Sequence, residues 1–285
     1  MPAKNLEKLL LAHVNEFHAV VPFVKGDKLL LLDFTDNNQE LNAEIIENTN
    51  VFIQYINSKL QVAGAKYGIG GYAEHRTIYS RSEIFGPSAT TFLKMDDDAK
   101  APSRWEGDNQ SESILTDLKK QKEKNNFFDL SSPPKGGGQG AEPRRLHLGI
   151  DIWGKPYTKV MAPLDGIVHS FAFNNAFGDY GATIIITHNF QGQTFHTLYG
   201  HLSLNSIKNI QEGDRVKRGD VFAEFGIPFE NGQWPPHLHF QIILDMEGHK
   251  GDYPGVCRYS EREKYLSNCP DPDLILQMMQ YASEK

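Results

Sequence analysis

The sequence predicts an α+β protein in which a β-rich region follows a smaller N-terminal α/β unit and a helix ends the chain. Before residue 64, apolar residues recur at helical spacing. After residue 145, short apolar runs alternate with Gly, Asn and Asp clusters, as in strands linked by hairpins. A charged stretch rich in Gly and Pro separates the two regions. We therefore expect an N-terminal α/β unit at 1–86, an excursion at 87–145 and a β-rich domain with the C-terminal helix at 146–285.

Composition excludes several classes of protein. The 285 residues include 29 Lys and Arg against 36 Asp and Glu, for a net charge of −7, and 39% are hydrophobic. This apolar content is too high for a disordered chain, and an acidic protein lacks the clustered positive charge that nucleic acid requires. No apolar run approaches the roughly 20 residues that span a bilayer, and the first residues show no signal-peptide pattern. We therefore expect a cytoplasmic protein without nucleic-acid or membrane partners.

The N-terminal unit is expected to contain two helices and an intervening strand. The apolar spacing predicts helices over 6–17 and 41–60, and the apolar run at 28–34 predicts a strand. Asn38 is the expected N-cap of the second helix, and Gly64 follows its expected end. In the excursion, only a short helix at 113–122 is expected.

The β-rich domain is expected to form a compact hairpin barrel or sandwich. Two of its segments, 160–168 and 213–221, share a pattern of a turn followed by a short apolar strand. The polar stretch at 189–193 predicts a hairpin turn between two strands. In the tail, Asp271 is the expected N-cap and Pro272 the first residue of the closing helix.

Three histidine-bearing fragments suggest a metal site in the β-rich domain. They are His147-x-x-x-Asp151, Tyr199-Gly-His201-Leu and Trp234-Pro-Pro-His237-Leu-His239. Alternate side chains of a strand share a face, so His237 and His239 point the same way. Imidazole and carboxylate groups are zinc ligands, and a catalytic zinc typically keeps three protein ligands. The competing interpretation is that these are structural histidines, because each fragment alone arises by chance in a chain with 11 His.

The stretch from about residue 146 to residue 240 resembles the catalytic domain of the lysostaphin/LytM-type zinc metallopeptidases, peptidase family M23. Five ordered elements carry the resemblance across roughly a third of the chain. They are His147-x-x-x-Asp151, Val160-x-Ala162-Pro163-x-x-Gly166-x-Val168, Tyr199-x-His201-Leu202, Gly213-Asp214-x-Val216-x-x-Gly219 and Pro236-His237-Leu238-His239-Phe240. The resemblance implies that the segments 160–168 and 213–221 belong to the family's duplicated hybrid motif.

The resemblance also implies a function and a set of site residues. His147, Asp151 and His239 match the family's Zn²⁺ ligands, and His201 and His237 match its two catalytic histidines. The implied activity is a zinc-dependent metallopeptidase that hydrolyses a peptide or amide bond with a metal-activated water and two assisting histidines. His237 would accept a proton and pass it to the leaving amine, while His201 would hydrogen-bond the water or the developing oxyanion.

The resemblance indicates the substrate less closely than it indicates the site residues. Members of the family commonly cut bacterial cell-wall peptides outside the cytoplasm. This chain instead resembles a cytosolic branch of the family, whose modules have similar sequences at the positions of residues 147–151 and 230–239. We expect a peptide or small amide substrate, with peptidoglycan-derived peptides among the candidates. Glu230, Asn231, Trp234 and Tyr199 flank the expected site, as substrate-groove residues or as ordinary core and rim side chains.

Two other classes of function compete with the hydrolase. One is a non-catalytic binding or regulatory module on the same fold, whose expected signature is a missing zinc ligand. The other is a carrier or phosphotransfer protein, but the turn at 217–220 does not resemble the modification site of a carrier protein. A further hypothesis is that the N-terminal half covers the cleft, motivated by the polar cluster Glu74, His75 and Arg76.

Overall fold

A computed structural model describes residues 2–24, 26–86 and 142–283 of the chain. Its first part contains α1 (Pro2–Ala12), β1 (Leu29–Leu31), α2 (Ala43–Glu47), α3 (Thr49–Ala63) and β2 (Tyr67–Gly70), then 3₁₀ turns at Thr77–Arg81 and Glu83–Phe85. The short helix expected at 113–122 lies outside the described residues.

The second part is rich in strands. Its elements are β3 (Leu146–His147), β4 (Ile150–Trp153), β5 (Lys159–Met161), β6 (Gly166–Asn174), β7 (Gly181–Phe190), β8 (Gln193–Leu202), α4 (Leu204–Ile207), β9 (Arg215–Val216), β10 (Val221–Glu224), β11 (His237–Ile243), β12 (Val256–Cys257), α5 (Arg262–Asn268), α6 (Asp273–Leu276) and β13 (Ala282–Ser283). The expected mixed α+β class is confirmed.

The main sheet is open, so of the two expected architectures, a barrel or a sandwich, the barrel is wrong. Its nine strands follow the order β13-β1-β2-β4-β11-β8-β7-β6-β9, and the end strands β13 and β9 do not pair with each other. Closure would require each strand to have two neighbours. Two small sheets, β10-β5 and β12-β3, accompany it. The duplicated hybrid motif stays a prediction.

The N-terminal unit contributes strands to this same sheet. β2 lies antiparallel to β4, with Gly70 opposite Asp151 and Gly68 opposite Trp153. On its other side β2 pairs in parallel with β1, which pairs in parallel with β13 at the chain end. The predicted boundaries at 86 and 145 stay predictions, but strands from both sides of them share one sheet.

The helix expected at 41–60 is interrupted. Asn38 is not its N-cap, because α2 is capped by Asn42 and α3 by Asn48, each through its side-chain oxygen. Gly64 ends α3 in a left-handed conformation with φ 59°, as its position predicts. At the other end of the chain, the expected closing helix spans only Asp273–Leu276, with Pro272 preceding it.

The hairpin turn expected at 189–193 is confirmed. β7 ends at Phe190 and β8 begins at Gln193, and the two antiparallel strands bury most of their length. Gln191 and Gly192 both have positive φ, at 51° and 79°, which matches the twist of a two-residue hairpin. One histidine of the candidate site, His201, lies near the end of the second of these strands.

No helix in the described ranges is long and apolar enough to cross a bilayer. The cytoplasmic location expected from the sequence stays a prediction.

Candidate functional site

Three neighbouring strands of the main sheet, β4, β11 and β8, and the short strand β3 bring the predicted site residues together. His147 ends β3, Asp151 lies in β4, His201 lies near the end of β8, and His237 and His239 lie in β11. In the sheet, His239 stands opposite Asp151 on one side and Gly200 on the other, while His237 stands opposite Trp153. The structure therefore brings all five side chains together in one region.

His147, Asp151 and His239 form a compact buried cluster. One nitrogen or oxygen atom of each lies within 4.8 Å of the others, and none of the three residues is more than 3% exposed. Nε2 of His147 lies 2.9 Å from Nδ1 of His239, and Asp151 Oδ1 lies 3.3 Å and 3.1 Å from these two atoms. Three facing nitrogen and oxygen atoms make a donor set that suits a divalent metal.

Hydrogen bonds on the far side of each ring support this interpretation. The Nδ1 of His147 lies 3.3 Å from the carbonyl oxygen of Gly71, and the Nε2 of His239 lies 2.9 Å from Oε1 of Gln241. Both partners accept hydrogen bonds, so these ring nitrogens carry the protons. The lone pairs of His147 Nε2 and His239 Nδ1 then face the Asp151 carboxylate. Such outer partners fix the ring orientation of metal-binding histidines.

The absence of a side chain at Gly149 lets the backbone pass close to this cluster. A Cβ atom on Gly149, between His147 and Asp151, would lie 2.5 Å from the His239 ring and 2.8 Å from the carbonyl oxygen of Phe240. Only glycine tolerates this close approach of the backbone to the ring.

Arg76 binds the second oxygen of Asp151. Its Nη1 donates to Asp151 Oδ2 over 2.5 Å, its Nη2 donates to the Gly71 carbonyl over 2.8 Å, and its Nε donates to Glu74 Oε2 over 3.0 Å. Burial opposes ionisation of Asp151, but the Arg76 guanidinium outweighs it and holds the pKa of Asp151 well below its usual value. Burial and the Arg76 charge lower the pKa of His147 to about 3, so its ring is neutral at pH 7.

His201 and His237 form a second pair beside the cluster. Their ring centroids are 4.1 Å apart, and the His237 ring stacks on Trp153 at 3.9 Å. The Nδ1 of His201 donates to the carbonyl oxygen of Asn231 and that of His237 donates to the carbonyl oxygen of Pro235, each over 2.8 Å. Each Nε2 therefore keeps a lone pair. Burial lowers the pKa of His237 to about 4 and holds that of His201 well below its usual value, with the neighbouring His237 contributing.

The backbone of His201 is strained. Its φ of 62° places a non-glycine residue in the left-handed region. Its amide donates to the Tyr180 carbonyl over 2.8 Å, and its carbonyl accepts from Gly226 over 2.9 Å. Such strained residues concentrate at functional sites, where the surrounding structure holds them in place.

The four flanking residues named from the sequence have different surroundings. Tyr199 lies in the core, against Phe222 and Phe240. Glu230 is buried and accepts hydrogen bonds from backbone amides, which is a structural role. Asn231 positions His201 through its carbonyl, and the Trp234 ring lies 6.2 Å from the rings of both His201 and His237.

Sequence reasoning missed Arg76 and Gln241 as partners of the metal-binding candidates. Gln241 was detectable, because it stands two residues after His239 on the same face of a buried strand. Arg76 carries no such signal, since 75 residues separate it from Asp151.

Comparison with known proteins matches the strand-rich part of the chain. The sequence model of peptidase family M23 matches residues 145–251. A protein of Haemophilus influenzae described as an uncharacterized metalloprotease is 34% identical over 102 residues, which is 35% of this chain and 19% of that protein. The matched region thus spans about a fifth of the length of this curated relative.

Solved structures of peptidases also match part of the chain. The antimicrobial peptidase lysostaphin from Staphylococcus simulans is 22% identical with a TM-score of 0.32, covering 47% of this chain and 45% of its own. A zinc-containing peptidase from Vibrio cholerae is 24% identical with a TM-score of 0.28, covering 41% of this chain and 34% of its own. The sequence match, which spans the histidine and aspartate fragments from His147 to His239, carries the assignment. Residues 145–251 of this chain thus match peptidase family M23.

Proposed function

We propose that this chain is a zinc-dependent metallopeptidase that hydrolyses a peptide or amide bond. The observation that carries the proposal is the cluster of His147, Asp151 and His239, whose facing atoms are all acceptors because other groups bind the ring protons. Three converging lone pairs without a donor between them repel one another, and a cation relieves that repulsion. The match of this segment to a peptidase family supports the same conclusion.

In the proposed mechanism, His147, His239 and Asp151 would hold the metal. A bound zinc would polarise the scissile carbonyl and make water a better nucleophile. Arg76 keeps the Asp151 carboxylate ionised and occupies its Oδ2, so that Oδ1 faces the two histidines.

His201 and His237 supply the proton transfers. Both Nδ1 protons are held by backbone carbonyls, so each Nε2 is free to accept a proton. Nε2 of His237 takes a proton from the attacking water and passes it to the leaving amine, and Nε2 of His201 accepts a hydrogen bond from the same water and orients it. The stacked Trp153 ring fixes the plane of His237, so little reorientation accompanies the transfer.

We propose peptides or small amides as substrates, including peptidoglycan-derived peptides. The family match supports a peptide bond as the target. Lysostaphin is described as an antimicrobial peptidase, and that description applies to lysostaphin itself.

The test separates metal binding from catalysis. Wild-type protein purified without chelator should contain about one zinc per chain by plasma mass spectrometry, and His147→Ala and His239→Ala should lose it. His201→Ala and His237→Ala should retain the metal but hydrolyse a peptide library about 10²- to 10⁴-fold more slowly. His249→Gln, at a half-exposed histidine outside both clusters, is the matched control and should keep both properties.

Failure of either arm has a defined meaning. Wild-type protein that stays metal-free after zinc is supplied contradicts the hydrolase proposal. Stoichiometric zinc without hydrolysis of any peptide or amide would instead favour the binding or regulatory module.

A further inference from the structure

Two buried arginines, five residues apart, have opposite surroundings. Arg76 is fully buried and pairs with the carboxylates of Asp151 and Glu74. Arg81 is only 4% exposed, yet no ion pair to it is found within the described ranges. A buried charge is normally paired, because its removal from water carries a large free-energy cost.

Arg81 also has unused hydrogen-bond donors. Its Nη2 donates to Thr49 Oγ1 over 2.9 Å and to the Gln233 carbonyl over 3.0 Å. Its Nε and Nη1 are buried and have no acceptor among the residues that the structure describes, and the same holds for the indole Nε1 of Trp234. Buried donors are almost always satisfied in folded proteins. These unpaired N–H groups therefore mark a place where an acceptor is missing.

Aromatic rings surround the guanidinium without satisfying it. Its central carbon lies 4.5 Å from the Trp234 ring centroid, 4.9 Å from that of Phe177 and 5.8 Å from that of Phe52. Ring faces attract a cation but accept no ordinary hydrogen bond from its edge. Burial lowers the pKa of Arg81 to about 9, and no acidic residue in the described part of the chain opposes this shift.

This group lies next to the proposed catalytic pair. Trp234, which stacks against Arg81, is also 6.2 Å from the rings of His201 and His237. Phe177 also lies against the guanidinium, and this residue is 43% exposed. The guanidinium therefore contacts one partly exposed aromatic residue and one indole that lies near the proposed catalytic histidines.

We propose that Arg81, assisted by the indole N–H of Trp234, binds a carboxylate group of the substrate. A carboxylate supplies both the missing charge and the missing acceptor atoms, whereas a neutral carbonyl supplies only the second. An extended peptide advances about 3.5 Å per residue, so a carboxylate bound here lies within a few residues of the bond presented to His201 and His237. The consequence for specificity rests on the proposed peptidase function, but binding of the anion does not.

The first experiment measures anion binding without catalysis. The indole N–H resonances of ¹⁵N-labelled protein, with that of Trp234 identified by Trp234→Phe, are followed during titration with acetate and, separately, with the uncharged analogue acetamide. At constant ionic strength, acetate should shift the Trp234 resonance saturably, and acetamide should not. Arg81→Gln should abolish this shift. Arg81→Lys, which keeps the charge, should retain a weakened one.

Arg144→Gln is the matched control, because Arg144 also lies over an aromatic ring, Phe85, and has no contact with Trp234. It should bind acetate as the wild type does. A shift that persists in Arg81→Gln would come from acetate at the metal cluster, and it would overturn the proposal. So would the absence of any saturable shift in folded wild-type protein, which means that water alone satisfies these donors.

The second experiment asks whether the site selects substrates. Three versions of one cleavable peptide are compared: a free C-terminal carboxylate, a C-terminal amide, and an amide with Glu as the last residue. Wild type should prefer a carboxylate-bearing version by about tenfold in kcat/KM over the plain amide, and Arg81→Gln should lose that preference. The terminal and side-chain versions identify the source of the carboxylate.

The two proposals fail separately. Acetate binding that depends on Arg81, without hydrolysis of any peptide, contradicts the peptidase function and leaves the anion site standing. Hydrolysis that ignores the carboxylate, together with no acetate binding, overturns the anion site alone.

Discussion

The two oxygens of Asp151 have different tasks because they have different neighbours. Oδ1 faces the nitrogen atoms of His147 and His239, and Oδ2 accepts a hydrogen bond from the buried Arg76. A guanidinium on one oxygen fixes the carboxylate plane and favours its ionised form. Arg76 is therefore a positioning residue for the proposed metal ligand, although it lies outside the segment that matches the peptidase family.

Replacement of Arg76 should weaken metal binding. We expect Arg76→Gln to lower zinc affinity about 10- to 100-fold, the usual effect of losing an outer partner of a metal ligand, and Arg76→Lys to restore part of it. Competition with a chromogenic chelator measures the affinity directly. Arg144→Gln, which removes a guanidinium without contact to Asp151, is the control. Equal affinity of Arg76→Gln and wild type would contradict the positioning role.

Asp179 should make stability depend on pH. Burial raises the pKa of this carboxyl to about 6, against a small opposing effect of the Tyr180 amide that it accepts from. The folded state thus binds the proton more tightly than the unfolded state. Stability from Asp179 is therefore greatest below its unfolded-state pKa near 3.8 and falls as the pH rises towards and past 6.

The variant Asp179→Asn removes this dependence. Relative to wild type, its free energy of unfolding should be higher by about 1 to 2 kcal/mol at pH 7.5, after allowance for solvent screening, with a smaller difference at pH 4.5. Urea denaturation at both values measures it. Asp36→Asn, at an exposed carboxyl, should show no such change between the two pH values. A difference for Asp179→Asn that grows as the pH falls would disprove the assignment.

At the scale of elements, Asn48 explains why one expected helix becomes two. Its side-chain oxygen accepts from the amides of Asn50 and Val51, over 3.0 Å and 3.2 Å, and starts α3. Its own amide donates to the Glu44 carbonyl over 3.4 Å and so ends α2. One residue thereby satisfies backbone groups of both helices, and it orients Thr49, which accepts from Arg81.

We expect Asn48→Ala to lower the free energy of unfolding by about 1 kcal/mol, because α3 loses the acceptor for its first amides. Asn48→Asp keeps an acceptor and should lose much less. Asn50→Ala is the control, since its exposed side chain lies inside the first turn and should change stability by less than about 0.5 kcal/mol. Urea denaturation of the four proteins decides the matter. Equal stability of Asn48→Ala and wild type would show that the cap is dispensable.

A comparison of these helices with the candidate site shows which features the sequence predicts and which depend on tertiary packing. His237 and His239 were placed on one face because strand periodicity is local, and the turn at Gln191 and Gly192 has local turn chemistry. Asn38, Asn42 and Asn48 are all acceptable caps, and tertiary packing selects among them. The contact of Arg76 with Asp151 depends on β2 pairing with β4, which no local pattern specifies.

At the scale of the whole molecule, the N-terminal unit supports the candidate site in two ways, by strand pairing and by aromatic packing. β2 pairs with β4, the strand that carries Asp151, and Phe34 and Phe52 pack on Trp153 at 5.1 Å and 5.8 Å. Trp153 in turn stacks on His237. A series of packed side chains thus connects the N-terminal unit to a proposed catalytic histidine. The N-terminal unit therefore supports the site and does not merely cover the cleft.

This architecture changes the expected result of truncation. A covering role alone predicts that removal of the residues before Gly140 raises activity. Because the same cut removes Arg76 and exposes the unpaired edge of β4, we expect the 140–285 fragment to bind zinc more weakly and to self-associate. Chelator competition and light scattering measure the two effects. Adding the separate 1–86 fragment should restore zinc affinity, whereas the same fragment with Arg76→Gln should restore less. A 140–285 fragment that binds zinc as the full chain does, and cleaves peptides faster, would contradict the supporting role and establish the cover instead.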